Sequence, residues 1–579
     1  MTMSEKYDGR HLEQINTRQS ESPTGEDLKQ VQTLAEVDIE NKHAFKGDDS
    51  DGKIDWNFRK LLACAFLSML YTGSQVLLYF VGGSLSFIVK DIGGTVGTGW
   101  LPTANTLAIA AVAPFVGYLQ DLFGKRYIAL FGAMLLCVGC ILLGTAQNFG
   151  QGVAGMAISG AGAGIGELTG LAGLAEIVPV KYRGYSLAAL TAFVFPFTPY
   201  VLYSQLLSTY STWRWGPWIS LIYNGITAVG LAVTYFPHAH VRAAGFSNRE
   251  ILKRIDFIGA ALSIIGLTLF LVALQAGGYT HPWTSAYVLC TLLIGFLCIV
   301  GWILWEWKGA KHPMIPLGLF QGQRVVALAY AVAFVAGMNF FSVLNFWPLM
   351  ISEVWEADPV QVGLRGLAPG LSVTIGAIFF NSMLSTWQGG AKYILFIAAG
   401  ILCCFGGAMA VVTPNNEMTV IALGTVSGLG LGGLIVPSAT VAMIAAPDAL
   451  ITTCAALSLS VRAVGGSIGY SIYYNIFVNK LTPRLPALVA EYAIKAGLPL
   501  TSAEAFVGAY LTAPEKLALV PGVTPAIIAG AHKGLQWAYA EALKYVWYTS
   551  IGFGTLAMVC ALCIPNTKRF QTNRVAVAL

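Results

Sequence analysis

Charged residues are scarce in this chain. They make up 11% of its 579 residues, whereas hydrophobic residues make up 56%. A soluble domain carries about 25% charged residues, so too little polar surface is available to cover several water-soluble domains. The composition excludes an ordinary soluble protein and predicts one large, all-α integral membrane protein that lies in a lipid bilayer.

Motifs for nucleotide-driven or metal-dependent chemistry are missing. No Gly-Lys pair is followed by Ser or Thr, so the sequence has no P-loop. The seven histidines lie outside the apolar runs and form no cluster of the kind that a membrane metalloenzyme needs. We therefore expect no enzyme activity, no bound metal and no cofactor. The Lys and Arg residues form no continuous basic stripe, which argues against nucleic-acid binding.

The ten cysteines do not suggest a disulfide framework, because all of them lie inside apolar runs. Cys137 and Cys140, like Cys560 and Cys563, have CxxC spacing, but aliphatic residues flank them and no further metal ligand is near. We predict thiols packed among apolar side chains.

The first 56 residues have few of the apolar and aromatic side chains that a folded domain buries. They are rich in Ser, Glu, Asp, Lys and Gln, which predicts a disordered cytoplasmic tail. No apolar run begins near Met1, so we expect no cleavable signal peptide, and the first span would serve as the targeting signal.

Long apolar runs are abundant. A membrane-spanning helix needs about 20 mostly apolar residues, and fourteen runs meet this length. They lie at about 60–83, 99–119, 126–146, 152–178, 185–208, 215–236, 256–277, 284–306, 326–350, 362–385, 392–413, 418–445, 453–477 and 545–565.

The spacing of these spans predicts a 6 + 2 + 6 organisation. The predicted regions are a six-helix bundle over 57–240, a two-helix insert over 241–310, a second six-helix bundle over 311–570 with a long exterior loop at 478–544, and a cytoplasmic tail over 571–579. Twofold internal repetition of this kind is typical of transporters.

Lys and Arg are concentrated in the loops on one side of the predicted spans. Loops after even-numbered spans hold twelve of them, whereas the short loops on the other side hold Lys90, Arg214 and, depending on a span boundary, Arg365. By the positive-inside rule both termini face the cytoplasm. If 478–544 contains another span, the C-terminus changes side.

Two ionisable residues lie within predicted spans, where each costs about 2.5–3.5 kcal/mol at mid-helix and is a functional candidate. Glu167, in GAGAGIGELTG, lies in the inner half of the fourth span. Glu167 has two possible roles: it binds a proton or substrate, or it forms a structural hydrogen bond. Arg462 lies about 13 Å into the thirteenth span, and we favour a structural or gating ion pair over contact with substrate.

Polar and aromatic side chains suggest a cavity for a small-molecule substrate. Tyr71, Gln75 and Tyr79 recur every four residues and share one face of the first span. A second set lies on the ninth span: Asn339, Asn345 and Trp347. Aromatic faces with a few amides suit a bulky, weakly polar ligand.

Prolines interrupt the fifth span. Pro196 and Pro199 free backbone carbonyl groups and permit a bend, as in the broken helices of transporters. Tyr200, Tyr203 and Gln205 follow the prolines and are further candidates for the wall of a cavity.

The segment GYLQDLFGKRY, at residues 117–127, resembles the loop between the second and third spans of the major facilitator superfamily. The matching residues are Gly117, Asp121, Gly124, Lys125 and Arg126. Leu122 stands where the family usually has a base. With this motif the chain is identified as a member of that superfamily.

The segment EIVPVKYRG, with Glu176 and Arg183, resembles the partner loop after the fourth span. The resemblance implies a cytoplasmic gate. In the outward-open state Asp121 would meet the positive end of the thirteenth span near Thr453, while Lys125 and Arg126 would pair with acids such as Glu176.

With fourteen spans, residues 57–570 are similar to drug–proton antiporters, and within these to the fungal trichothecene efflux pump group, through WRWGPWISLIYNGI, VGLRGLAPGLSV and VRAVGGSIGYSIYYNIF. The resemblance implies a monomer with a central site lined by the first, fourth, ninth and twelfth spans. It implies proton-coupled export of a hydrophobic toxin or drug by alternating access, at the plasma membrane or alternatively at a vacuolar or vesicle membrane.

Two departures bear on the proton path. Met156 stands where proton antiporters usually carry an Arg, and FVFPFTPY replaces their Gly-Pro pair. Glu167 is then the one deep acid that can be nominated for a proton. Two alternatives stay open: an importer of siderophore-bound iron, and a non-transporting sensor or scaffold, against which the short tails argue.

Overall fold

The computed structural model describes residues 56–94, 99–237, 255–278, 280–315, 319–320, 324–447, 450–512, 517, 520–573 and 575. The predicted tail over 1–56 lies outside this part except for Trp56, as do residues 238–254 of the basic loop and most of the predicted tail over 571–579. Within the described residues the regular structure is helical, apart from one isolated bridge between Gly277 and His281. The all-α class is confirmed.

The described part of the first bundle contains eight α-helices. They are α1 (Phe58–Gly83), α2 (Leu85–Ile92), α3 (Trp100–Phe123), α4 (Lys125–Gly144), α5 (Phe149–Ile177), α6 (Arg183–Ala192), α7 (Tyr200–Tyr210) and α8 (Trp215–Thr234).

The insert and the second bundle follow. In the described residues they contain α9 (Phe257–Ala276), α10 (Ala286–Leu304), α11 (Arg324–Met350), α12 (Pro359–Arg365), α13 (Leu367–Thr386), α14 (Ala391–Ala408), α15 (Glu417–Ala445), α16 (Ile451–Lys495), α17 (Ala503–Thr512) and α18 (Pro525–Leu562).

Thirteen helical segments of the described chain are long and apolar enough to cross a membrane. The predicted fourth span corresponds to α5, which is not one of the thirteen. Its 29 residues are long enough, but nine glycines and two glutamates make it less apolar than its neighbours. Because α5 packs against α1, α3 and α4, it occupies the place of a bundle helix. The count of fourteen spans stays a prediction.

The fifth span is broken where the prolines predict. Helix α6 ends at Ala192, a 3-10 turn covers Phe195–Phe197, and α7 begins at Tyr200, directly after Pro199. Proline lacks the N–H that a continuous helix needs at these positions.

The segment 478–544, predicted as a long exterior loop, is largely helical in its described residues. Helix α16 runs for 45 residues and α18 for 38, which are about 68 and 57 Å long, compared with about 30 Å for the hydrocarbon core. Both helices therefore extend into this segment, and α17 lies between them. Val489, Phe506 and Ile527 form a buried apolar cluster there. Pro483 and Pro486 both lie inside α16.

The two bundles meet along several pairs of helices, of which two have the most extensive contacts. Helix α3 of the first bundle packs against α16 of the second, and α6 packs against α13. The insert helix α9 contacts both α3 and α16. These contacts bring the motif residues of the first bundle onto helices of the second.

Candidate functional site

Asp121 joins the two bundles. It lies buried in the last turn of α3 and accepts a 2.6 Å hydrogen bond from Oγ1 of Thr453, in the first turn of α16. The N-terminus of a helix carries unsatisfied N–H groups and a partial positive charge, which stabilise a carboxylate. The structure thus brings together the acid and the helix end that the resemblance associated.

Lys125 and Glu176 form an ion pair beside this contact, and both side chains are buried. Thr452 Oγ1 donates a hydrogen bond of 3.3 Å to Glu176 Oε1. The first turn of α16 therefore contacts acids on both α3 and α5. A buried ion pair is costly to break by removing one partner, at about 3–5 kcal/mol.

Arg183 forms another link across the bundles. Its side chain is fully buried, with Nε donating to the carbonyl oxygen of Ala175 at 2.8 Å and Nη1 to that of Met443 at 2.6 Å. Met443 belongs to α15 of the second bundle. We call the set Asp121, Lys125, Glu176, Arg183, Thr452 and Thr453 the latch.

Glycines permit close approach of the helices at the latch. A Cβ atom on Gly117 would collide with the Cβ atom of Ala456 on α16, and one on Gly184 would lie 2.7 Å from Ser385 Oγ on α13. Gly124 has a φ of 84°, in the left-handed region that favours glycine. It forms the sharp turn between α3 and α4, which puts Lys125 next to Glu176.

Arg126 does not take the predicted place. Its Nη2 donates to the carbonyl oxygen of Ala232 at 2.9 Å, and its guanidinium lies 3.6 Å from the ring centroid of Phe236. No acid pairs with it among the described residues. A cation–π contact and a carbonyl replace the predicted ion pair.

Glu167 and Arg462 form an ion pair between α5 and α16. Glu167 is 3% exposed, and Tyr71 of α1 lies within electrostatic reach of both charges. Nothing local in the sequence relates the two residues, because they are 295 positions apart.

The polar face of α1 extends from this ion pair. Beyond Tyr71, Gln75 Oε1 accepts a 2.6 Å hydrogen bond from the hydroxyl of Tyr79. The ring of Tyr79 stacks on Tyr200 of α7, with centroids 4.9 Å apart. The helical spacing seen in the sequence therefore produces a row of polar groups between the ion pair and the cavity described next.

A cavity of about 800 Å³, a volume that includes space open to solvent, lies at the end of this row. We call it the main cavity. Its walls come from α1, α7, α11, α13 and α15 and include Tyr79, Tyr200, Phe340 and Trp347. No charged side chain belongs to its described lining. Trp347 is 5% exposed, and its Nε1 has no hydrogen-bond partner among the described residues.

The predicted cavity residues have different places. Tyr79 and Trp347 line the main cavity, whereas Asn345 lines a smaller neighbouring cavity. Asn339 is buried, donates to the Val335 carbonyl oxygen at 3.1 Å and accepts from the Tyr473 hydroxyl at 3.2 Å.

The first, ninth and twelfth spans contribute to the described lining of the main cavity, but the fourth does not. Helix α13 contributes Pro369, Gly370, Val373 and Thr374, which sequence reasoning missed. Their small or aliphatic side chains carry no signal beyond that of an ordinary membrane helix.

Known proteins resemble the chain over most of its length. A sequence model of the fungal trichothecene efflux pump (TRI12) family matches residues 54–579. The MFS-type transporter prx5 of Penicillium rubens is 27% identical over 457 residues, covering 76% of this chain and 81% of that protein. The trichothecene efflux pump TRI12 of Fusarium sporotrichioides is 24% identical over 533 residues, which cover 89% of this chain and 88% of that pump.

A solved structure identifies the fold. The proton:xylose symporter XylE of the major facilitator superfamily, bound to 6-bromo-6-deoxy-D-glucose, aligns with a TM-score of 0.51 and 13% sequence identity. The alignment covers 88% of this chain and 96% of XylE. The predicted major facilitator fold is confirmed.

Proposed function

We propose that this chain, which belongs to the fungal trichothecene efflux pump family, exports a bulky, uncharged and largely apolar molecule by alternating access. It is a multi-pass integral membrane protein with the fold of a transporter, and it is not an enzyme. The observation that carries the proposal is an uncharged, aromatic main cavity in a bundle whose opposite end is held closed by the latch.

Positions along single helices support this arrangement. On α13, Thr374 lines the main cavity and Ser385 contacts Gly184 near the latch, eleven residues or about 16 Å further on. On α15, Gly428 lines the main cavity and Met443 accepts from Arg183, fifteen residues or about 22 Å further on. The main cavity thus lies towards the end away from the latch.

The charge distribution of the loops supports the direction of transport. The positive-inside rule puts the latch on the cytoplasmic side, so a closed latch leaves the main cavity in the exterior half of the bundle. An exporter adopts such a conformation after it has carried its substrate across. The family relationship supports export in the same sense.

The lining of the main cavity favours an uncharged substrate. Burying a charge without a partner is costly, whereas burying apolar surface is favourable, and no charged side chain belongs to the described lining to act as that partner. Trp347 Nε1 is a buried donor that has no partner in the part of the chain that the structure describes, so an oxygen atom of the substrate would satisfy it. Trichothecene-like molecules, which carry oxygen atoms on an apolar ring system, fit both requirements.

The ion pair of Glu167 and Arg462 suits proton coupling. A proton taken up by Glu167 removes one charge of the pair, which releases Arg462 on α16. Because α16 also carries Thr452 and Thr453 of the latch, this release would reach the cytoplasmic gate. Proton-coupled export is therefore part of the proposal.

Export is tested in a yeast strain that lacks its own drug exporters. Cells that express the chain should accumulate less of the neutral trichothecene deoxynivalenol than cells without it. Equal accumulation, together with new uptake of a ferric siderophore, would replace export with the import of siderophore-bound iron.

The variant Trp347→Phe keeps the aromatic bulk but removes the donor. A neutral hydrogen bond contributes about 1 kcal/mol, so kcat/KM for deoxynivalenol should fall roughly fivefold. The control Trp387→Phe changes an indole that stacks on Tyr393 outside the main cavity. Unchanged kcat/KM in Trp347→Phe would remove the hydrogen bond from the proposal.

A further inference from the structure

A polar seam joins the insert helix α9 and the loop that follows it to α16. Three hydrogen bonds form this seam: Gln275 Nε2 to the Ser467 carbonyl oxygen at 3.2 Å, Ser471 Oγ to the Leu274 carbonyl oxygen at 2.8 Å, and Trp283 Nε1 to Asn475 Oδ1 at 3.3 Å. No ion pair reinforces it among the described residues. The seam therefore depends on neutral hydrogen bonds, which are weaker than charged ones.

Two small cavities lie directly beneath the seam. The outer chamber, of about 320 Å³, has Trp100, Gln275 and Asn475 in its wall. The inner chamber, of about 350 Å³, has Gln275 and Asn345 in its wall. Both volumes include space open to solvent.

The chambers adjoin one another and the main cavity. Thr103, Gln275 and Tyr470 belong to the walls of both chambers. Leu344 of α11 belongs to the walls of both the inner chamber and the main cavity. The three spaces therefore follow one another from the insert to the centre of the bundle.

The chemistry of the chambers differs from that of the main cavity. Their walls present neutral hydrogen-bonding groups on α3, α9, α11 and α16, and no charged side chain belongs to the described lining. In the inner chamber these groups are the hydroxyls of Thr103, Thr106, Ser467 and Tyr470 and the amides of Gln275 and Asn345. Such walls accept an uncharged molecule with hydroxyl, ether or carbonyl oxygens and disfavour an ion.

We propose that α9 is a side gate, and that separation of the seam opens a passage between the outer chamber and the main cavity for an uncharged, oxygen-bearing molecule. The proposal deepens the proposed function and rests on it. It assigns to the two-helix insert a role in the path of the substrate: α9 closes the gap between α3 and α16, the helices that also meet at the latch. The passage would carry the polar side of an amphipathic substrate, while the main cavity holds its apolar side.

Locking the seam tests the gate. In the double variant Gln275→Cys/Ser467→Cys, a short bis-methanethiosulfonate cross-linker should lower deoxynivalenol export at least tenfold, and reduction should restore it. Restoration shows that the protein remained folded. The controls are the two single variants and the wild-type chain, whose ten native cysteines are exposed to the same reagent.

A second variant tests whether the chambers form a passage or whether the seam has only a structural role. Thr103→Cys places a thiol in both chambers, and methanethiosulfonates of increasing size should inhibit export in order of their size. Thr291→Cys on α10, outside both chambers, is the matched control.

Export that is unaffected by the cross-link, or by the size of the reagent on Thr103→Cys, would overturn the side gate while leaving the proposed function intact. Absence of deoxynivalenol export by the wild-type chain would overturn both.

Discussion

Thr453 lies 332 residues after Asp121, yet its hydroxyl donates a 2.6 Å hydrogen bond to the Asp121 carboxylate. The bond joins the first turn of α16 to the last turn of α3, and thereby one bundle to the other. The acid interacts with both the hydroxyl and the positive end of the helix. Opening the bundle at this end requires that both interactions be given up.

Replacing Asp121 by Asn is expected to slow export. The amide keeps the shape of the side chain but loses the charge that α16 stabilises, and a hydrogen bond to a charged group contributes about 1.5–3 kcal/mol. We expect a three- to tenfold lower initial rate of efflux, with no change in topology as reported by loop labelling. The control Asp358→Asn alters an exposed helix cap that Asn also supports. Full activity in Asp121→Asn would leave this segment with only the role of a positively charged loop.

Replacing Glu167 by Gln is expected to abolish pH-driven export while the protein stays folded. Gln keeps an oxygen that can accept from Arg462, but it cannot take up or release a proton. Efflux into media of different pH measures the effect, and the exposed Glu504→Gln on α17 is the control. Wild-type pH dependence in Glu167→Gln would exclude Glu167 from the mechanism.

A methyl group at Gly117 is expected to hold the latch apart. It would collide with Ala456 on α16, whereas a methyl group at Gly225 on α8 would meet no atom within 4 Å. Overpacking of a tight contact costs about 1–3 kcal/mol. Gly117→Ala should therefore slow efflux several-fold and increase labelling from the cytoplasmic side, whereas Gly225→Ala should do neither. Equal behaviour of the two variants would contradict close packing at the latch.

A pH-dependent contribution to stability is expected from Asp91, which lies in α2 outside the candidate spans. Its carboxylate pairs with Arg214 and accepts from Trp213 Nε1 at 3.0 Å, and these contacts lower the pKa of Asp91. Because of this lowered pKa, the charged Asp91 stabilises the folded state at pH values above about 3.9, the usual pKa of an Asp side chain. The stabilisation is lost as pH falls through the lowered pKa.

Thermal unfolding in detergent measures this contribution. Asp91→Asn should have a lower Tm than wild type at neutral pH, and the difference should shrink as pH falls below about 3.9 and disappear below the lowered pKa of Asp91. Arg214→Gln should show the same trend. A difference in Tm that persists at low pH would mean that the ion pair is not its source.

The spans and their local features were accessible from the sequence, because they depend on neighbouring residues. Apolar length predicts a membrane helix, paired prolines predict the break before α7, and the four-residue spacing of Tyr71, Gln75 and Tyr79 predicts their shared face. The motif around Asp121 was likewise recognisable from neighbouring residues. Pro483 and Pro486, by contrast, lie inside α16, which packs against α18.

Only the tertiary structure decided which distant residues meet. Glu167 pairs with Arg462, and the insert helix α9 lies over the gap between α3 and α16, because whole helices pack against one another. Helix α13 enters the wall of the main cavity through small and aliphatic residues that look like any lipid-facing helix in sequence. Periodicity within a helix determines which residues share a face, whereas the partner of that face depends on helices hundreds of residues away.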